Sequence, residues 1–310
     1  MAWLEITLNA PQGEVNSLVT ALTGLGFEDL CIEDQQEFET FLEENREYWD
    51  YIDESLEQKL QGLSRVKLYL EDTEEQRLSA LRRFAEDRSC PMTVDTLPDT
   101  NWEESWKENY PPQEVGKTLV VLPYWLADAY ETDRKKVILD PGLTFGTGAH
   151  PSTQMVMETM EETVKPGDHC LDLGSGSGIL SVTALRLGAE SAIGVDIDPK
   201  AEDIARENAG YNGFSFPEFT ALTGNVTEDR QLMERLAQKE YDVVLVNIVA
   251  DVIIGLSPVL PEFLTEKTTL ILSGILDTRL PDVLGALQKA GLTVTGIREK
   301  EEWRCVTARK

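Results

Sequence analysis

The chain has 310 residues, 41% of them hydrophobic, which is enough for a sizeable core and for two domains or one domain with a large appendage. Asp and Glu number 56 against 28 Lys and Arg, and the formal charge of −28 disfavours naked nucleic acid and anionic membranes while favouring basic partners. No apolar run approaches membrane-spanning length, and Met1-Ala2-Trp3-Leu4-Glu5 has neither the basic nor the apolar part of a secretory leader.

Cys31, Cys90, Cys170 and Cys305 are scattered and form no C-x-x-C pair, so a cytoplasmic, reducing environment is expected. His150 and His169 are too few and too isolated to suggest a metal site.

From the start, Trp3 to Leu8 alternates apolar and polar as a half-buried strand does. Val15, Leu18, Val19, Leu22 and Leu25 follow helical spacing up to Gly26, and Phe27 to Glu33 reads as a second strand. Between Glu28 and Glu57 stand thirteen acids and one base, Arg46; this run, with Phe38, Phe41, Leu42 and Trp49, reads as a helical insertion with a solvated face. Val66, Leu68 and Leu70 mark a third strand, Leu78, Leu81, Phe84 and Ala85 a second helix, and Met92, Val94 and Leu97 a fourth strand. The order β-α-β-β-α-β is ferredoxin-like.

A connector follows, with a short helix expected from Trp102 to Asn109 and a stop at Pro111-Pro112. Trp102 and Trp106, four apart, share one face of it. Leu119 to Leu122 and Val137 to Leu139 read as short strands. The glycine-rich stretch Asp140 to His150 then opens a helix at Pro151, whose N-terminus suits an anion such as a carboxylate. His150 is expected to bond its own backbone, and Gly142, Gly146 and Gly148 let the loop move over a ligand.

The stretch Asp172-Leu173-Gly174-Ser175-Gly176-Ser177-Gly178 lies between a short buried strand and an apolar helix, Ile179 to Leu187, that ends at Gly188. Strand, glycine turn and helix in that order begin a doubly wound nucleotide-binding sheet. A second strand, Ala192-Ile193-Gly194-Val195, ends in Asp196, an acid placed to accept both hydroxyls of a ribose. The dinucleotide fingerprint is missing, because Ile179 stands where G-x-G-x-x-G needs its third glycine. Strands and helices then alternate to the end, with a less regular strand over Phe214 to Leu222 and an apolar strand, Tyr241 to Val246, running into Asn247. Leu292 to Ile297 and Arg304 to Ala308 close the chain as an antiparallel pair.

Alternating glycines with Asp172 before them and Asp196 beyond resemble the S-adenosylmethionine site of class I methyltransferases, which seats no pyrophosphate. Three stretches make the chain similar to one family, the ribosomal protein L-eleven methyltransferases (PrmA). They are Phe145-Gly146-Thr147-Gly148-Ala149-His150-Pro151, Asp172 to Gly178, and Asn247-Ile248-Val249-Ala250, with Glu301-Glu302-Trp303 similar as well. The resemblance extends from about Trp102 to Lys310 and reaches the first hundred residues in layout only. It implies an α/β fold, a doubly wound and mostly parallel class I methyltransferase sheet with a smaller N-terminal α+β ferredoxin-like domain. The boundaries it implies are 1–100 for substrate recognition, 101–118 for a linker and 119–310 for catalysis. Cofactor contacts are implied at Thr153, Gly174, Asp196 and Asn247, with Phe145, Thr147, Asp172 and Gly176 around them. The implied partner is a basic ribosomal protein of the large subunit, met by a monomer without direct nucleic-acid or membrane binding. Val249 stands where the family has Leu, and the acidic stretch around Glu37 to Asp53 departs further from its pattern.

Methyl transfer from a sulfonium needs a neutral nucleophile in line with the S–CH3 bond. Deprotonating a lysine at pH 7 costs about 4.6 kcal/mol, an α-amine only about 1.4 kcal/mol, and burial beside a cation lowers both. No dedicated base is therefore required. Asn247, with the backbone carbonyl of Ile248, is suited to accept amine hydrogens and aim the lone pair; capping the strand end or bonding the cofactor are its plainer roles. Asn225 is a further candidate, for an adenine amine. The alternatives are a small-molecule or glutamine methyltransferase, an RNA methyltransferase and a non-catalytic binding protein on the same scaffold. Glutamine-modifying relatives carry Asn-Pro-Pro-Tyr where this chain has Asn247-Ile248-Val249-Ala250.

Overall fold

The computed structural model describes residues 3–11, 13–27, 29–36, 38, 40, 61–97, 110–141 and 148–310. The chain divides into two compact units, Met1–Asn109 and Tyr110–Lys310. The greater part of the acidic stretch, residues 41–60, and the connector helix expected from Trp102 to Asn109 lie outside the described residues.

In the first unit β1 (Trp3–Asn9), α1 (Val15–Gly24), β2 (Cys31–Asp34), β3 (Ser64–Glu71), α2 (Glu75–Asp87) and β4 (Met92–Leu97) follow in sequence. The strands form one antiparallel sheet in the order β2-β3-β1-β4, the ferredoxin-like arrangement. Period-2 alternation turns Ile6 and Leu8 of β1 and Val66, Leu68 and Leu70 of β3 toward Val15, Leu18 and Leu22 of α1 and Leu81 and Ala85 of α2. In the alternate register of these strands stand Glu5, Glu33, Arg65 and Lys67, where Lys67 bridges Glu5 at 3.4 Å and Glu33 at 3.3 Å. The second strand starts at Cys31 rather than Phe27. Phe27 is buried and its N–H closes the end of α1 on the Leu22 carbonyl, so it belongs to the turn.

The second unit opens with a three-stranded sheet of β5 (Gln113–Val115), β6 (Leu119–Pro123) and β7 (Lys135–Leu139). β5 lies inside the stretch expected to be linker. It pairs antiparallel with β6, and the turn between them is held by Glu161, whose carboxylate accepts from the Lys117 and Thr118 amides and the Thr118 hydroxyl.

Next come α3 (Pro151–Thr163), β8 (His169–Leu173), α4 (Ile179–Leu187), β9 (Ser191–Asp196), α5 (Pro199–Tyr211), β10 (Phe219–Thr223), α6 (Arg230–Ala237) and β11 (Val243–Asn247). The chain finishes with α7 (Ala250–Leu256), β12 (Thr269–Leu276), α8 (Leu280–Lys289), β13 (Thr293–Lys300) and β14 (Trp303–Arg309). Seven of these strands make one sheet, ordered β10-β9-β8-β11-β12-β14-β13. The first five run parallel, and the terminal β13–β14 hairpin adds antiparallel to β12. The strand expected from Phe214 begins at Phe219: the Phe214 N–H still closes α5 on the Ala209 carbonyl, and Pro217 has no N–H to give a ladder.

β8 and β11 are covered on both faces and so read as nearly unbroken apolar runs. Val243 and Leu245 face a core with Met155, Val156, Ile179 and Val182, and Val244 and Val246 face another with Leu232, Ile253, Leu260 and Val283. Crossovers from β8 lead away through β9 and β10, those from β11 the other way through β12. The order therefore reverses between β8 and β11, the place where a doubly wound sheet leaves a crevice at its carboxyl edge.

Helix α5 comes unusually near that edge. A Cβ added to Gly178, at φ +77°, would lie 2.9 Å from the Ala205 Cβ and 3.2 Å from its Cα. Gly178→Ala is expected to cost about 2 kcal/mol of unfolding free energy in urea denaturation, from backbone strain and contact combined. An unchanged midpoint would mean that α5 gives way freely.

Candidate functional site

Three strand ends and one residue within a fourth strand meet at the crevice. Asp196 closes β9, Gly174 follows β8, Asn247 closes β11, and Ser273 of β12 is Asn247's partner in register. Leu245 lies opposite Asp172, so Asp172 and Asn247 point to the same face of the sheet, toward α3 and α4.

The glycine turn is wound tightly against β9. The Gly174 and Ser175 amides both donate to the Val195 carbonyl, at 2.8 and 3.1 Å, and the Gly178 amide donates to Ser175 at 2.8 Å. Asp196 joins in: its Oδ2 accepts from the Gly176 amide at 2.8 Å and its Oδ1 from the Asp198 amide at 2.9 Å. The acid expected at a ribose thus also fixes the turn, and it keeps lone pairs beyond these two bonds.

Asp172 is fully buried. Its Oδ2 accepts from the Ser181 amide at 3.1 Å and the Ser181 hydroxyl at 2.8 Å, while Oδ1 has no partner among the described residues. Burial raises its pKa from 3.8 to about 7; the Ser181 bonds pull the other way, and the nearby Asp196 charge adds to the rise. The second such atom is Asn247 Oδ1, buried and without a partner, while Asn247 Nδ2 donates to Thr153 Oγ1 at 3.2 Å. Thr153 is itself buried, in the first turn of α3. Both bare acceptors lie on one face, an arrangement that fits a cationic or N–H-bearing ligand and would otherwise be costly.

Ile248 sits between two glycines. A Cβ on Gly174 would come within 2.4 Å of Ile248 Cγ2, and one on Gly274 within 2.4 Å of its carbonyl oxygen. Gly274 escaped the sequence reading, although a lone glycine inside an apolar strand signals a close backbone approach.

At the rim, one amide of the α3 N-terminus is taken up from within: the Ser152 amide donates to His150 Nδ1 at 3.3 Å, and the Ser152 hydroxyl shares a 2.7 Å hydrogen bond with the same nitrogen. His150 also meets the buried Trp303 edge-on at 4.6 Å, and burial lowers its pKa against the opposing charges of Glu302 and Glu301. Asn225, a candidate for an adenine amine, spends its Oδ1 on the Thr227 amide and hydroxyl in an Asx turn. Phe145 and Thr147, with the moving loop inferred for them, lie outside the described residues. Among the described residues no group of three His, Cys, Asp or Glu is arranged to hold a metal ion, and no helix is long and apolar enough to cross a membrane.

The family model described as Ribosomal protein L11 methyltransferase (PrmA) matches residues 2–310. A ribosomal protein L11 methyltransferase from Heliobacterium modesticaldum is 33% identical over 319 residues, covering 100% of this chain and 98% of that protein. One from Caldicellulosiruptor bescii is also 33% identical over 319 residues, with 100% and 99% covered. The crystal structure of ribosomal protein L11 methylase from Lactobacillus delbrueckii subsp. bulgaricus is 29% identical, with a TM-score of 0.58 over 65% of this chain and 99% of that one.

The buried carboxyl makes a prediction about stability. With its folded pKa raised to about 7, Asp172 holds more protons in the folded than in the unfolded chain between about pH 4 and pH 7. Its contribution is therefore complete below pH 4 and is lost as pH rises through 7. Asp172→Asn is expected to remove this fall, so the stability of wild type relative to the variant should drop by a few kcal/mol from pH 4 to pH 8. Parallel stability curves in denaturant titrations at the two pH values would refute it.

Proposed function

The chain belongs to the ribosomal protein L11 methyltransferase (PrmA) family, and from that premise we propose that it methylates amines of that ribosomal protein: lysine side chains, the N-terminal amine or both. Its cofactor is S-adenosylmethionine. The observation that carries the proposal is the meeting of the glycine turn, Asp196 and the bare Asn247 Oδ1 where the strand order reverses.

The residues present fit the cofactor. Gly174 and Gly176 put no Cβ at two positions of the turn, and Asp196 has acceptor capacity for ribose hydroxyls. Asp172 Oδ1 and Thr153 lie on the face of Asn247, where a positive charge is favoured. Phe145 and Thr147 belong to the same seat by family resemblance. When bound, S-adenosylmethionine supplies an electrophilic methyl on a sulfonium, open to direct displacement by a neutral amine. The protein's task is then to orient and desolvate that amine. Asn247 is held by Thr153 through Nδ2, which turns Oδ1 toward an incoming N–H, and the Ile248 carbonyl supplies a second acceptor one residue on. Two acceptors fix the direction of the remaining lone pair, and the low-dielectric crevice favours the neutral amine. The first unit is assigned to gripping the ribosomal protein, since a small-molecule enzyme would have little use for it. The acidic balance of the chain suits a basic partner.

Incubation with labelled S-adenosylmethionine and ribosomal proteins, followed by mass spectrometry, tests the assignment; label on small molecules or RNA alone would defeat it. Asn247→Ala is expected to slow transfer about 10²-fold while leaving cofactor affinity within a few-fold. An unaffected rate would remove Asn247 from the mechanism.

A further inference from the structure

We propose that Asn208 is a positioning residue for the cofactor seat, tying the glycine turn to the exit of β7. Asn208 lies on α5, where Ala201, Ala205, Asn208 and Ala209 form the buried stripe. A fully buried asparagine in such a stripe must satisfy both ends of its amide or lose stability. It does so across two separate segments. Nδ2 donates to the Ser177 carbonyl at 2.8 Å, and Oδ1 accepts from the Asp140 amide at 2.8 Å.

The Ser177 bond is within reach only because α5 lies close to the turn. That closeness is made by Gly178, against which Ala205 packs one helical turn before Asn208. A neighbouring asparagine, Asn212, gives the contrast of a buried brace that does not involve the turn. Asn212 accepts from the Ile138 amide at 3.0 Å and from Arg186 Nε at 3.2 Å, and donates to the Ile138 and Asn208 carbonyls at 2.6 and 2.7 Å; none of these bonds reaches the turn. Of the two, only Asn208 joins β7 to the turn. Its amide sets where Ser175, Gly176 and Ser177 lie relative to Asp140, from which the second glycine-rich stretch departs. Asn208 touches no reacting group; it acts through the turn.

The inference rests on the glycine turn seating S-adenosylmethionine, and the experiment separates the two ideas. S-adenosylhomocysteine binding to the full chain is measured by calorimetry for wild type, Asn208→Ala and Asn212→Ala, beside urea unfolding of each without ligand. A wild type that binds nothing removes the cofactor reading, and the inference with it. Given wild-type binding, Asn208→Ala is expected to bind about tenfold more weakly, about 1.4 kcal/mol. Asn212→Ala should lose comparable stability yet stay within about twofold in affinity. Wild-type affinity in Asn208→Ala, or equal losses in both variants, would overturn the positioning role. If Asn208→Ala does not fold, hydrogen exchange on wild type decides. S-adenosylhomocysteine is expected to slow exchange of the Asp140 amide about tenfold through Asn208, and an unchanged rate overturns the proposal.

Discussion

Strands β8 and β11 lie side by side, but their crossovers leave in opposite directions, so no connection covers the sheet between their carboxyl ends. The functional geometry depends on this gap. The backbone groups and side chains that end β8, β9 and β11 converge on one crevice because five parallel strands all finish on the same side. Asp196 and Asn247 are far apart in sequence and are brought to one edge by register alone.

Convergence creates an electrostatic demand. Asp172 and Asn247 each bury an oxygen without a partner among the described residues, on the same face of the sheet. A stable protein tolerates few such atoms, and on the proposed reading a ligand completes their hydrogen bonding. Asp172 answers the demand in part by holding a proton to higher pH than an ordinary carboxyl.

Acids outnumber bases along the chain. Many of the described basic side chains are engaged with acids, among them Arg206 with Glu202, Arg279 with Asp251, Arg298 with Glu162 and Lys67 with Glu5 and Glu33. Such exposed or half-exposed pairs add little stability, but they leave the net charge of −28 carried by the remaining acids. An excess of one sign of charge favours encounter with partners of the opposite sign, which is the basis of the proposed preference for a basic protein.

Much of this was legible in the sequence because its signals are local. The glycine alternation after Asp172, the acid closing the next apolar strand, and Asn247 at the end of another each follow from residue type and spacing within a short window. The ferredoxin-like unit was legible in the same way, from period-2 and period-3.6 patterns. Three features were decided only by tertiary structure. β5 is too short to show a pattern and exists because β6 and Glu161 hold it. Strand ends shifted where a residue such as Phe27 or Phe214 still served the preceding helix. Above all, the roles of Asn208 and Gly274 come from long-range approach: one reaches Ser177 and Asp140 from α5, the other makes room for the Ile248 carbonyl. Sequence by itself fixes what each segment prefers to be, because those preferences are set by neighbours along the chain; which backbone groups meet across the fold depends on packing distances that no local spacing encodes.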